Sequence, residues 1–100
     1  MSTVLICEDD AFLAADLSMS VESAGHEVAG VYANAADALK AASDIVPDVA
    51  FVDLELADGH TGSAIAKSLQ AMGVKVVVLS GHPNVSTRVK FSNRRLVFLL

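Results

Sequence analysis

The feature that most constrains this chain is an alternation of short, unbroken apolar runs with longer segments whose apolar residues recur at helical spacing. Thr3 to Cys7 (TVLIC) and Asp48 to Leu54 (DVAFVDL) are runs rich in β-branched and aliphatic residues that suit strands covered on both faces. Glu27 to Tyr32 reads as a second strand, and Val74 to Leu79 (VKVVVL) is the most strand-like stretch of the chain. Between them, Leu13, Leu17, Val21 and Ala24 form one helical stripe, with Gly25 placed to end it. Asn34 is expected to cap a helix over Ala35 to Ser43, with Asp37 in its first turn and Pro47 beyond its end. Ile65, Leu69 and Met72 make a third stripe closed by Gly73. Asn84 onward is read as a fourth helix, with Val85 and Val89 on one face, and Leu96 to Leu100 (LVFLL) as a fifth strand. Strands alternating with helices pair in parallel through right-handed crossovers. The expectation is one α/β domain over residues 1–100, a doubly wound three-layer sandwich on a five-stranded parallel sheet.

Composition narrows the setting. The chain is 53% hydrophobic and has no tryptophan, and its mean hydropathy is +0.51. That excludes a disordered, charge-rich segment. No apolar run reaches the length of a membrane span, and Met1 to Cys7 reads as a strand start rather than a signal peptide. The single cysteine, Cys7, can form neither an intrachain disulfide nor a metal cluster, which fits a reducing, cytoplasmic compartment. The net charge of −5 is unevenly spread. Twelve acids against Lys40 alone put −11 on residues 1–60, and six bases without an acid put +6 on residues 61–100. Arg88, Lys90, Arg94 and Arg95 are too few, and too little interleaved with aromatics, to favour nucleic acid over a solvated face.

Ligands of doubly wound sheets bind beyond the carboxyl ends of the strands, where the strand order reverses. Those ends carry a coherent set: Glu8, Asp9 and Asp10 after the first strand, Asp53 at the end of the third, Ser80 at the end of the fourth. Carboxylates brought together repel unless something neutralises them. Mg²⁺ accepts such oxygen ligands and retains room for water and phosphate oxygens. Carboxylates with a nearby hydroxyl therefore point to phosphoryl chemistry, one carboxylate attacking phosphorus. Acids at strand-to-helix junctions also serve as caps, and Asp10 is expected to be one. Asp53 differs, because it sits inside FVDLEL, where an aspartate without a function would be costly. His60 and His82 read as surface polar residues, His26 as a turn residue and Cys7 as a small core side chain. No glycine-rich turn follows the first strand, which excludes a dinucleotide fingerprint.

Taken together, VLICEDD, VAFVDLEL followed by DGHTG, and VVVLSGH resemble the receiver domain of two-component response regulators over about residues 3–85. The resemblance implies a flavodoxin-like sheet in the order 2-1-3-4-5. It implies Asp53 as phosphoacceptor and Glu8 and Asp9 as an acidic pair holding Mg²⁺. Asp9 and Asp53 would bind directly and Glu8 through water, with the backbone carbonyl of Glu55 completing the protein ligands. Ser80 would be the switch hydroxyl, with Phe98 as a candidate aromatic partner. The phosphoryl group would come from a phosphohistidine on a histidine kinase or histidine phosphotransfer protein.

The chain departs from the family at its C-terminal end. The lysine expected after the fifth strand would fall past Leu100, Lys90 and Arg95 lie upstream of that strand, and a fifth helix is missing. The domain thus reads as C-terminally incomplete, with apolar surface left for a homodimer. A receiver that binds partners without being phosphorylated is the alternative reading. A small Mg²⁺-dependent phosphohydrolase, with Glu55 two residues past the nucleophile, is a more distant one.

Overall fold

The computed structural model of the chain describes residues 1–54, 56–59, 61–80, 89–92 and 95–99. In chain order they form β1 (Thr3–Cys7), α1 (Ala11–Ser23), β2 (Glu27–Tyr32), α2 (Ala35–Asp44), β3 (Val49–Asp53), α3 (Gly62–Ala71), β4 (Lys75–Ser80), β5 (Val89–Ser92) and β6 (Arg95–Leu99). The first four strands lie in the order β2-β1-β3-β4, every neighbouring pair parallel. This is the doubly wound, flavodoxin-like arrangement expected from the alternation. The chain leaves β1 to one side for β2 and returns to its other side as β3, so the order reverses between β1 and β3.

Side-chain alternation along β1 feeds two cores. Leu5 and Cys7 join Ala38 and Ala42 of α2, Ala50 and Val52 of β3, and Ile65, Ala66 and Leu69 of α3. Val4 and Ile6 face the other way, onto Leu17 and Val21 of α1 and Leu79 of β4. Ile6 and Cys7 are fully buried, which is why a central strand tolerates no polar residue here. Alanines at the helix contacts let α2 and α3 approach the sheet closely. Full burial of a side chain such as Leu69 stabilises the fold by about 2 kcal/mol.

The helix ends follow their sequence signals. Asn34 accepts the Asp37 N–H at 2.8 Å, and Gly25 and Gly73 adopt left-handed φ values of 88° and 86°. The α1 stripe is shifted from the expected one. Ala14, Leu17 and Val21 are buried, Leu13 is half-buried, and Ala24 is the exposed C-cap. The strand expected over Leu96–Leu100 takes the fifth position as β6, but it runs antiparallel to β4, with β5 outside it. β5 and β6 are two residues apart in the chain, a separation that makes their own pairing antiparallel. Val89 lies in β5 rather than a helix, and Val85 falls outside the described residues. Among the described residues, no helix is long and apolar enough to cross a membrane.

Candidate functional site

Parallel register brings the acids together. Cys7 pairs with Val52, so the residues after β1 emerge beside the end of β3. One ligand oxygen from each of Glu8, Asp9 and Asp53 can be chosen so that all three lie within 4.8 Å of one another. Asp9 is exposed, whereas Glu8 is 2% and Asp53 8% exposed. The group is therefore a set of carboxylates at the rim of the core with one open side.

Glu8, Asp10 and Asp53 are each placed by main-chain contacts. The Glu8 N–H donates to the Tyr32 carbonyl at 2.9 Å, extending the β1–β2 ladder by one step. Glu8 Oε2 accepts the Asp10 N–H at 3.2 Å. Asp10 is the N-cap of α1, as expected, accepting from the Phe12 and Leu13 N–H groups at 2.9 and 3.2 Å. Its carboxylate is thus committed to the helix and is not one of the clustered three. Asp53 closes β3, and Gly62 lies directly against it. A Cβ on Gly62 would overlap the Asp53 carbonyl oxygen and come within 2.5 Å of the Leu54 Cα. The Gly62 N–H donates to the Leu54 carbonyl at 3.2 Å.

The remaining candidates divide. Ser80 is the last residue of β4, one position past Leu79, the register partner of Asp53. Its backbone thus reaches the same edge of the sheet. Glu55, His60 and His82 lie outside the described residues, and Phe98 lies in β6. His26 is exposed in the turn after α1, and its Nδ1 accepts the Ser2 N–H at 3.0 Å. Cys7 is buried, and desolvation pushes its thiol pKa up to about 12, which suits a core residue and not a nucleophile.

The fit to a hard divalent cation can be judged on the donors. Three carboxylates converging at one opening supply only oxygen, and their mutual repulsion is relieved by a dication that keeps part of its water shell. The donor set therefore fits a hard divalent cation such as Mg²⁺.

Sequence reasoning missed one feature beside this site. The Asp58 carboxylate accepts the Ala35 N–H at 3.1 and 3.2 Å and the Thr61 hydroxyl at 2.7 Å. The hydroxyl bond, then the amide bond, hold its pKa below the usual carboxylate value. Ala35 is 23 residues away in the chain, so no local pattern signals the contact.

Comparison with known proteins bears on the whole chain. The family model for the response regulator receiver domain matches residues 4–97. The phyllosphere-induced regulator PhyR of Methylorubrum extorquens is 37% identical over 82 residues, covering 80% of this chain and 31% of that protein. The chain thus spans about a third of the length of this relative. Among solved structures, the anti-anti-sigma factor PhyR from Bartonella quintana superposes with a TM-score of 0.70 at 28% identity, over 77% of this chain and 32% of its own. That protein is also described in complex with the anti-sigma factor NepR, a structure sharing the fold at 24% identity and a TM-score of 0.75, over 99% of this chain and 40% of that one. The signal receiver domain of a modulated diguanylate cyclase from Desulfovibrio desulfuricans G20 gives a TM-score of 0.78 at 34% identity, over 85% of this chain and 68% of that one.

Proposed function

The chain belongs to the response regulator receiver domain family, and on that premise we propose that it works as a regulatory module that binds a protein partner. What supports the interaction reading is its likeness to a protein described as an anti-anti-sigma factor. An anti-sigma factor is accordingly the partner class proposed here. Titration against an anti-sigma factor of the NepR kind, followed by calorimetry, tests this. Saturable binding supports the reading, and its absence in every phosphorylation state counts against it.

A second reading, carried by the clustering of Glu8, Asp9 and Asp53, concerns the input. Asp53 is the acceptor of a phosphoryl group from a phosphohistidine on a histidine kinase or phosphotransfer protein. The bond from phosphorus to the imidazole nitrogen breaks as a bond to an Asp53 carboxylate oxygen forms, and the imidazole leaves after taking up a proton. Glu8, Asp9, Asp53 and the backbone carbonyl of Glu55 would hold Mg²⁺, which when bound neutralises the charge gathered on the phosphoryl oxygens. The main-chain bond at Glu8 and the close seat of Gly62 hold the backbone at Glu8 and Asp53 in place, which supports a site whose strand ends need little rearrangement. Ser80, at the neighbouring strand end, is the hydroxyl proposed to follow the phosphoryl group. The acyl phosphate would then shift an existing conformational equilibrium.

Two further elements belong to the proposal. The α1 side of the sheet leaves Val28, Val49, Phe51 and Val77 only partly buried, which supports self-association as a homodimer. Light scattering tests it, with a mass that stays monomeric at high concentration as the contrary result. A reducing, cytoplasmic setting is proposed from the single buried thiol of Cys7.

A further inference from the structure

We propose that Asp58 is a positioning residue for the carboxylate site. It fastens the segment after Asp53 to the N-terminus of α2, so that ion occupancy of the site is felt at α2. The inference rests on the reading of Glu8, Asp9 and Asp53 as an ion site.

The described residues of this segment are tied down at several points. At one end, Gly62 is seated against the Asp53 carbonyl with no room for a Cβ. In the middle, Leu56 is buried, and Leu56 and Gly59 exchange main-chain hydrogen bonds of 2.9 Å around a turn in which Gly59 has φ 107°. That value disfavours residues with a side chain. From this turn Asp58 reaches α2. Its two oxygens receive the Ala35 N–H, while the adjacent Ala57 N–H donates to the Ala33 carbonyl at 2.9 Å.

The free donors at the start of α2 are divided between two caps. Asn34 serves the Asp37 N–H and Asp58 serves the Ala35 N–H. A helix can be capped from its own sequence, so the second carboxylate, reaching from 23 residues away, is not needed for helix formation alone. Thr61 adds to the argument. It is the N-cap residue of α3, yet its side chain makes no cap bond to its own helix. Its hydroxyl goes to Asp58 instead. One carboxylate thus joins the starts of α2 and α3 across the segment that follows Asp53. These same bonds, first that from Thr61 and then that from Ala35, hold its pKa below the usual carboxylate value.

The test is an amide-resolved NMR titration of the 100-residue chain with MgCl2, on wild type and three variants. Wild type is expected to respond at Asp9 and also at Ala35 and Ala36. Asp58→Ala is expected to bind Mg²⁺ roughly tenfold more weakly, as when an outer partner of a metal site is removed, and to lose the response at Ala35 and Ala36. Thr61→Val, which keeps the carboxylate and removes one bond, is expected to fall between. Asp37→Ala, which disturbs the first turn of α2 without touching Asp58, is expected to keep wild-type affinity. Wild-type affinity with an intact Ala35 response in Asp58→Ala overturns the inference. So does equal weakening by Asp37→Ala, which would make Asp58 merely a stabiliser of α2. If wild type shows no response at Asp9, the ion reading itself fails and takes the inference with it.

Discussion

Gly62 rests against the backbone of Asp53 so closely that any Cβ at position 62 would overlap the Asp53 carbonyl oxygen. The start of α3 and the end of β3 therefore share one space. Overpacking of this kind costs about 2 kcal/mol where the neighbour can shift, and here the neighbour is main chain. Gly62→Ala is expected to lose at least that much stability, read as a lower midpoint of urea denaturation, and to weaken Mg²⁺ binding, because Asp53 is what has to move. Gly25→Ala is the control. It stays strained at φ 88°, with no atom within 4 Å of its Cβ, so it should destabilise without changing ion affinity.

The three clustered carboxylates oppose one another when no cation is present. Replacing Asp53 by asparagine removes one charge at nearly constant shape. The Asp53→Asn variant is expected to melt at a higher temperature than wild type in the absence of Mg²⁺. At Mg²⁺ a hundredfold above its dissociation constant, wild type should gain about 2.7 kcal/mol, and the variant should gain much less. Thermal melts with and without the ion, at matched ionic strength, read both effects.

Acid should loosen the fold through identifiable groups. Asp48 accepts the Thr3 N–H at 2.8 Å and the Thr3 hydroxyl at 3.1 Å, and Asp58 is bonded to Thr61 and Ala35. Both pKa values lie below the ordinary 3.8. A carboxyl whose folded pKa is depressed binds protons more readily when unfolded. Its contribution is therefore present above pH 3.8 and is lost as pH falls through the folded value. Stability measured from pH 6 downward should fall below pH 4, and more gently in Asp48→Asn and Asp58→Asn, since neither variant can lose that contribution.

Cys7 offers a probe of opening. Its thiol is buried in β1 with a pKa pushed up to about 12, so almost no thiolate is present at neutral pH. Labelling by a thiol reagent at pH 7 should be slow and should accelerate with urea in step with global unfolding. Rapid labelling of the native chain would show that β1 opens locally.

How far the chain could be read from its residues depended on range. The sites of Glu8, Asp9 and Asp53 were legible because the acids stand at or just beyond the carboxyl ends of apolar runs, and parallel strands deliver such positions to one edge. Asn34, Gly25 and Gly73 were legible because caps and left-handed turns are local. The stripe of α1 was less so. Leu13 and Ala14 compete for the buried face, and packing on the sheet chose the smaller residue. The Asp58 bond to Ala35 was not legible, since it exists only once the turn after β3 meets the start of α2. Nor was the direction of β6, because an apolar run carries no sign of parallel or antiparallel pairing.

The central claim is that Asp53 is the group through which this receiver domain takes its input. Intact-mass spectrometry after incubation with Mg²⁺ and a phosphohistidine-bearing donor tests it most directly. Wild type is expected to gain a single phosphoryl group, lost again under mild base as an acyl phosphate should be, and Asp53→Ala is expected to gain none. A wild-type chain that stays unmodified, or an Asp53→Ala chain labelled to the same extent, would contradict the account.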